Sequence, residues 1–437
     1  MTTTVIEELR QTGTPDADLS PSEREERAMR GFAQHFGAYA ALNLESCIHC
    51  AICADACHFY IATEDPKYTP ILKAEPFKQA FRRESGAFAP LFKMLGLKKK
   101  VTAEQLEEWQ ELLFDSCNMC GRCSLICPMG IEVAEVIEVG RRAMAEAGLA
   151  PKPLADRARH QAETGQPEES ERPYAEVLAD IGRDNGLEVP LDKDRADIMV
   201  CLPRTDLERH PESVAAMLKI MNSLGTNYTF RSDALIAENY GYYAGSRGLQ
   251  RKITKRITDT AKKIGAKTVI VPECGHAYTA LRWQAADIIG EELPFRVLHI
   301  TEYLGEQLAD GNLKLGQVNG ESYTFHDPCQ IVRKGGVMDA PRELMKAMGV
   351  NLKEMRNKKA FSFCCGGGGG VNDLESARKL RLRAQEIKLR EIDDTGAERF
   401  MTSCSDCRVA FSDAGEHHRW DKQTDSLIEL VAANIKE

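Results

Sequence analysis

The second half of the chain alternates short apolar runs with longer stretches of helical apolar spacing. Residues 196–201 and 268–271 predict buried strands, because each is a short run rich in Ile, Val or Met. Residues 212–224 and 249–264 predict helices, and a glycine follows each of them. Strands that alternate with helices predict an α/β unit with a mainly parallel sheet.

The same plan recurs towards the C-terminus, where strands are predicted at 323–325 and 399–402. Cysteines follow these strands at matching intervals, 73 residues from Cys201 to Cys274 and 75 residues from Cys329 to Cys404. The sequence therefore predicts one module present twice.

The composition narrows the class of protein. The 437 residues are 43% hydrophobic and 28% charged, which is ordinary for a globular protein of two or three domains. Fifteen cysteines, mostly in C-x2-C clusters, favour metal ligation in a reducing compartment, so we expect a cytoplasmic protein. No apolar run reaches the roughly 18 residues of a membrane span. The net charge of -9 argues against nucleic acid as the main partner.

Eight of the cysteines form two runs with the spacing C-x2-C-x2-C-x3-C, which is the bacterial ferredoxin signature. In that signature the fourth cysteine of each run ligates the cluster of the other run. One cubane [4Fe-4S] cluster is then expected on Cys47, Cys50, Cys53 and Cys127, and a second on Cys117, Cys120, Cys123 and Cys57. Zinc is the weaker alternative, because zinc sites commonly use two separated cysteine pairs.

Two features near these runs have open interpretations. His49 and His58 are expected to form hydrogen bonds outside the ligand shell or to lie on the surface, since eight thiolates are already present. Residues 67–100 are both basic and apolar. They are either a solvated helix pair or a docking surface for a membrane subunit or an anionic lipid leaflet.

The adjacent pair Cys364-Cys365 precedes a run of five glycines that starts at Gly366. Neighbouring thiolates suit two irons better than one tetrahedral ion, so the pair predicts a multi-iron centre, and the glycines would let the backbone approach it. A vicinal disulfide and a flexible linker are the alternatives. The equivalent position in the first half is Ile236, so only the second half is expected to hold a cluster, with Cys201 and Cys274 as buried thiols.

The pattern C-x34-CCG-x37-C-x2-C resembles the CCG domain of heterodisulfide reductase catalytic subunits. That resemblance implies a noncubane [4Fe-4S] cluster on five cysteines, here Cys329, Cys364, Cys365, Cys404 and Cys407. With the dicluster module, residues 40–430 resemble HdrD-like proteins of sulfur metabolism. Residues 57–67 and 238–241 support the DsrK-type branch from the DsrMKJOP complex, with TmcB-type subunits near it.

The expected fold class is therefore α+β, a helical two-[4Fe-4S] ferredoxin-like domain followed by a duplicated α/β CCG domain with mainly parallel sheets. The expected divisions are a polar tail at 1–35, a ferredoxin-type domain at 36–150 with a helical insertion at 58–116, a linker at 151–194, a degenerate first CCG half at 195–310 and a second CCG half at 311–437.

The resemblance also implies a function. Such a subunit would exchange electrons between a membrane haem b or quinone module, with a DsrM-like partner, and a disulfide or thiol on a DsrC-like sulfur-carrier protein. It would then lie peripherally on the inner face of the cell membrane. His276 and His326 are candidate acids for the departing thiolate. No flavin or NAD fingerprint is evident in the sequence.

Two other functions remain open at the level of the sequence. One is the iron-sulfur subunit of a flavoprotein 2-hydroxy-acid or glycerol-3-phosphate dehydrogenase, although such subunits usually keep cysteine-rich motifs in both halves. The other is a pure electron relay that no sulfur substrate reaches.

Overall fold

A computed structural model describes residues 19–35, 38–85, 91, 94–96, 101–318 and 320–436. The chain forms two compact units. The first contains the described residues up to Arg159, together with Tyr240–Gln250 and Gly366–Ile387. The second contains His160–Asn239, Arg251–Cys365 and the described part of 388–437. Each unit is therefore assembled from three separate stretches of chain.

Helices dominate the first unit, and helices and strands alternate in the second. In chain order the α-helices are α1 (Pro21–His35), α2 (Ala38–Glu45), α3 (His58–Thr63), α4 (Pro70–Ser85), α5 (Ala103–Gln110), α6 (Arg122–Leu125), α7 (Val133–Glu146), α8 (Lys152–Thr164), α9 (Tyr174–Asp184), α10 (Arg204–Arg209), α11 (Pro211–Ser223), α12 (Tyr240–Ala244), α13 (Arg247–Lys263), α14 (Gly275–Thr279), α15 (Ala285–Ile289), α16 (Ile300–Ala309), α17 (Ala340–Ala347), α18 (Glu375–Asp393), α19 (Ser405–His418) and α20 (Leu427–Ala433).

The core of the first unit includes helix α1, within the stretch expected to be a polar tail. Phe32 and Ala28 are fully buried and stand one helical turn apart. The Phe32 ring lies 5.1 Å from that of Phe77 in α4, and Phe77 lies 5.7 Å from Trp109 in α5. The structure thus differs from the expectation for 21–35, because an apolar stripe among charged residues is enough to dock a helix. Residues 1–18 lie outside the described part.

The second unit contains two four-stranded sheets in which every pair of strands is parallel. The strands are β1 (Ile198–Val200), β2 (Tyr228–Phe230), β3 (Thr268–Val271), β4 (Arg296–His299), β5 (Ser322–His326), β6 (Asn351–Leu352), β7 (Arg399–Thr402) and β8 (Thr424–Ser426). The first sheet has the order β2-β1-β3-β4 and the second the order β6-β5-β7-β8. These orders are equivalent, so the α+β class with a duplicated, parallel-sheet module is confirmed.

Each sheet has a topological switch point between its two central strands. The chain moves from β1 to β2 on one side and then to β3 on the other, and β5, β6 and β7 repeat this path. In open parallel sheets ligands bind beyond the carboxyl ends of the strands at such a switch point. The fold therefore predicts one binding crevice between β1 and β3 and another between β5 and β7.

The stretch 151–194, expected to be a linker, carries α8 and α9. Leu154 and Ala155 in α8 are fully buried, and so is Leu178 in α9. The division between the units falls at Arg159 and His160, and Tyr240–Gln250 and Gly366–Ile387 return to the first unit. The expected linear divisions differ from this arrangement, because sequence composition does not show a chain that leaves a unit and re-enters it.

Among the residues that the structure describes, no helix combines the length and the apolar character needed to cross a bilayer.

Candidate metal centres

The two ferredoxin-type runs have equivalent backbone conformations in the first unit. His49 and Ala51 flank Cys50 with φ of 54° and 61°, and Met119 and Gly121 flank Cys120 with φ of 51° and 76°. Non-glycine residues adopt this left-handed region rarely. Its occurrence at matching positions indicates that both runs wrap around a group in the same way.

One cavity of the first unit has an empty volume of about 420 Å³, counting its part open to solvent. The cysteines that line it are Cys57, Cys117, Cys120 and Cys123. These are the four that the crossing rule assigns to the second cubane. Cys57 comes from the other run, so the fold brings it to the three cysteines of 117–123.

The side chain of Lys73 points into this cavity and is only 2% exposed. Its ammonium lies 3.8 Å from Cys57 Sγ and donates a hydrogen bond to the carbonyl of Ser116. Lys78 is also buried, with Nζ 3.3 Å from His49 Nε2. Both lysines belong to the stretch proposed as a docking surface, yet they face the ferredoxin loops. The side chains of residues 76 and 79–85 and all of 86–90, 92–93 and 97–100 lie outside the described part.

A second cation, the fully buried guanidinium of Arg141, holds the loop that carries Cys117. It donates hydrogen bonds to the carbonyls of Cys117 at 2.8 Å, Leu113 at 2.9 Å and Gly369 at 2.7 Å. Burial is the main influence on Arg141, and it lowers the pKa of the guanidinium. A buried charge is costly unless it is hydrogen-bonded or paired, so these carbonyls and an anionic cluster nearby would stabilise it.

Asn118 ties the glycine run to the ferredoxin loop. Its amide donates to the carbonyls of Gly366 and Gly368 at 2.7 and 2.9 Å, and its oxygen lies 2.9 Å from His58 Nε2. The sequence predicts that the glycine run lets the backbone approach the C-terminal centre. The described glycine contacts are instead made with the ferredoxin loop. A Cβ on Gly369 would lie 3.1 Å from the Asn118 backbone, so the run permits close packing within the first unit.

The five C-terminal cysteines are all buried in the second unit. Cys329 follows β5 and Cys404 follows β7, which places them on both sides of the switch point of the second sheet. Cys329 Sγ lies 3.8 Å from Cys364 Sγ. Each of the 15 cysteines is a free thiol, so Cys364 and Cys365 do not form a vicinal disulfide.

The sulfur atoms of Cys365 and Cys407 and a ring nitrogen of His326 all lie within 4.8 Å of one another. His326 ends β5 and is fully buried, and neither ring nitrogen has a hydrogen-bond partner among the described residues. Burial lowers the pKa of His326, and the neighbouring Cys365 opposes that effect. His276, the other candidate acid, lies buried in α14 and is outside this group.

The donor set fits iron-sulfur clusters. Burial raises the pKa of Cys53 to about 11 and the pKa of Cys123 and Cys407 well above the usual thiol value. In contrast, hydrogen bonds from Cys364 and then Cys407 lower the pKa of Cys365. Several buried thiols crowded together become thiolates only with a strong positive charge among them, and iron supplies that charge.

The equivalent crevice of the first sheet holds carboxylates instead of a cysteine pair. Asp206 follows β1, and Glu273 follows β3. Glu238 lies two residues after Ile236, which forms an isolated parallel β-bridge with Leu202. All three side chains are buried. The sequence gives no sign that these three residues form a group, because isolated acidic residues carry no spacing signal.

Two further cysteines lie at the same crevice. Cys201 and Cys274 are both fully buried. Burial raises the pKa of Cys201 to about 12 and that of Cys274 well above the ordinary value, so both are neutral thiols.

Comparison with known proteins matches both cysteine-rich regions. The model of the 4Fe-4S dicluster domain matches residues 43–131, and the model of the cysteine-rich domain, CCG, matches residues 323–412. The chain is therefore an iron-sulfur oxidoreductase that carries [4Fe-4S] clusters and transfers electrons.

Several relatives are similar to this chain over most of its length. The chain is 26% identical to the HdrD subunit of the dihydromethanophenazine:CoB–CoM heterodisulfide reductase of Methanosarcina barkeri, covering 90% of this chain and 95% of that protein. It is 24% identical to the Hdr-like menaquinol oxidoreductase iron-sulfur subunit of Archaeoglobus profundus, covering 89% and 78%. It is 26% identical to the EtfAB:quinone oxidoreductase of Syntrophomonas wolfei, covering 87% and 56%. The chain is therefore an HdrD-like iron-sulfur protein with a dicluster domain and a CCG domain.

Proposed function

We propose that the chain is the catalytic iron-sulfur subunit of a disulfide reductase or thiol oxidase of the heterodisulfide reductase type. Two cubane [4Fe-4S] clusters would be held by Cys47, Cys50, Cys53 and Cys127 and by Cys117, Cys120, Cys123 and Cys57. One noncubane [4Fe-4S] cluster would be held by Cys329, Cys364, Cys365, Cys404 and Cys407. When bound, these clusters supply one-electron transfer steps.

The proposed reaction interconverts one disulfide and two thiols, and two electrons and two protons are taken up or released. In the reducing direction the S–S bond breaks, each sulfur receives one electron and one proton, and two thiols leave. In the opposite direction two thiols lose two electrons and two protons, and the S–S bond forms. The residues of the second unit would enclose such a centre, since all five C-terminal cysteines are buried.

The observation that carries the proposal is the placement of these five cysteines. They are free, buried thiols around the switch point of the second sheet, which is where this class of fold binds ligands. A disulfide substrate on a DsrC-like sulfur-carrier protein and a DsrM-like membrane haem b subunit, or another quinone module, are the partners that we propose. This would make the chain a DsrK-type subunit that lies peripherally on the inner face of the membrane.

Iron analysis tests the assignment of the clusters. Anaerobically purified protein should contain about 12 Fe per chain, for three four-iron centres. Cys364→Ser should retain about 8 Fe and lose disulfide reduction or thiol oxidation. Cys201→Ser is the matched control, because Cys201 is another buried thiol beyond a strand of the same unit, and it should retain all the iron. Wild-type protein with only about 8 Fe would contradict the third centre.

An electron relay is the second candidate, and the burial of the C-terminal cysteines favours it. Cys329 and Cys404 are the most exposed of the five, at 6% and 5%. An electron paramagnetic resonance signal of the third centre that does not change on addition of thiol or disulfide would support the relay. A change of that signal would support the disulfide chemistry.

A further inference from the structure

The crevice of the first sheet contains three buried carboxylates that retain unpartnered oxygens. Asp206, Glu238 and Glu273 are 2%, 3% and 0% exposed. Glu238 Oε1 accepts from the Arg204 amide at 2.7 Å, and Glu273 Oε1 accepts from Ser426 Oγ at 2.8 Å. Asp206 Oδ1, Glu238 Oε2 and Glu273 Oε2 have no hydrogen-bond partner among the described residues. We call these three residues the acid cluster.

Two neighbouring arginines offset only part of the charge of the acid cluster, because other carboxylates already pair with them. Arg204 forms ion pairs with Glu168 and Glu208. Arg408 forms ion pairs with Glu429 at 2.9 Å and Glu212 at 3.3 Å. Asp406 adds a further acidic group near Glu238 and Cys274. Unpaired ionised carboxylates at this depth are too costly, so protons must compensate for their charge.

The acid cluster adjoins the turn that carries the last two cysteines. The backbone amide and the hydroxyl of Ser405 donate to the Glu273 carbonyl at 2.9 and 3.1 Å. Thr205, next to Asp206, donates from its hydroxyl to Asp406 Oδ1 at 3.3 Å. Ser405 and Asp406 lie between Cys404 and Cys407, so charge added at these cysteines acts on the acid cluster.

We propose that the acid cluster is a buried proton-binding site that takes up a proton when the iron-sulfur centre at Cys404 and Cys407 is reduced. The inference rests on the proposed function, because it requires that centre. One electron from the redox partner adds a negative charge to the centre. One proton from solvent then binds to a carboxylate oxygen and balances that charge. By linkage, proton binding in turn favours reduction.

The titration range of the acid cluster suits this role. Burial, followed by the charge of Asp406, raises the pKa of Glu238 to about 8. Burial raises the pKa of Glu273 to about 7, while Arg408 and the Ser426 hydroxyl oppose that effect. Burial, then the charge of Glu273, raises the pKa of Asp206 well above its ordinary value. Glu238 and Glu273 therefore exchange protons near neutral pH.

The test is a redox titration of the C-terminal centre in the full chain, followed by electron paramagnetic resonance at several pH values. Above pH 7 the midpoint potential should fall by up to about 59 mV per pH unit, which corresponds to one proton per electron. Glu238→Gln and Glu273→Gln should each reduce this slope, and the double variant should remove most of it. Asp197→Asn is the control and should leave the slope unchanged. Asp197 lies just before the N-terminal end of β1, away from the crevice, where it forms an exposed ion pair with Lys267.

A potential that does not depend on pH, or a slope that persists in the double variant, would overturn the inference while the proposed function stands. If the double variant loses iron, the slopes of the two single variants are compared with that of the wild type instead, and unchanged slopes would overturn the inference. A preparation that lacks the third centre altogether would refute the proposed function instead, and iron analysis recognises that case.

Discussion

Two buried cations distinguish the environment of one proposed cubane. Lys73 lies 3.8 Å from Cys57 Sγ, and Arg141 donates to the Cys117 carbonyl at 2.8 Å. Cys57 and Cys117 belong to the same proposed ligand set. Positive charge stabilises the reduced state of a cluster more than its oxidised state, because reduction adds an electron. These residues should therefore raise the reduction potential of that cubane.

We expect Lys73→Met to lower the potential of the cubane at Cys57 and Cys117. An elementary charge a few ångströms beyond the ligand, at an effective dielectric constant near 20, is worth about 1–3 kcal/mol, or on the order of 40–130 mV for one electron. Spectroelectrochemical titration of the variant measures this change. Lys73→Arg keeps the charge and should shift the potential much less. Equal shifts in both variants would mean that packing, and not charge, sets the potential.

The sequence predicted the cysteines but not the residues that hold their loops. Cysteine spacing carries information because cluster geometry restricts the number of intervening residues. Lys73, Asn118 and Arg141 act through contacts between distant parts of the chain, and no local spacing records such contacts. In the sequence, Lys73 is only one of several basic residues in 67–100. Its burial, at 2% exposure, could be learned only from the packing.

At the scale of elements, the sequence predicted the inner strands of both sheets and missed the outer ones. Strands β1, β3, β5 and β7 lie inside their sheets and are short, mainly apolar runs. Strands β6 and β8, with two and three residues, have the sequences NL and TDS. An outer strand pairs on one side only and needs less apolar surface. The positions of β6 and β8 are therefore set by the neighbouring strands and not by their own composition.

The glycine run after Cys365 gives a prediction at this scale. Gly370 has φ of 83°, and a Cβ there would lie 2.9 Å from the Leu154 side chain. Gly311 has a similar φ of 75°, but a Cβ added there would meet nothing within 4 Å. Gly311→Ala should cost about 1 kcal/mol from backbone strain alone. Gly370→Ala should cost roughly 1–3 kcal/mol more, because it also overpacks the core.

Thermal or denaturant unfolding of the two alanine variants measures this difference. Comparison with Gly311→Ala separates the steric contribution at Gly370 from the cost of the left-handed backbone. Equal destabilisation would show that Leu154 moves aside without cost, and that the run is needed only for its conformation.

At the scale of the whole molecule, the exposure of the cysteines differs between the two units. Cys50 is exposed, whereas the five C-terminal cysteines are at most 6% exposed. Alkylation requires both a thiolate and access for the reagent. An iron-free chain should therefore react in an order set by burial, and an iron-loaded chain should be protected at each ligand.

Anaerobic alkylation with mass spectrometry tests this order. In the iron-loaded protein, Cys50 should resist the reagent in spite of its exposure, because its sulfur is bound to iron. After chelation of the iron, Cys50 should become labelled first, and the C-terminal group should follow only as the second unit opens. Cys201 and Cys274, fully buried and outside the proposed ligand sets, are internal standards for that opening. If Cys50 is labelled equally fast before and after chelation, it is not a ligand, and the crossing rule does not apply to the first run. If the C-terminal thiols are labelled much earlier than Cys201, iron rather than burial protects them in the native protein.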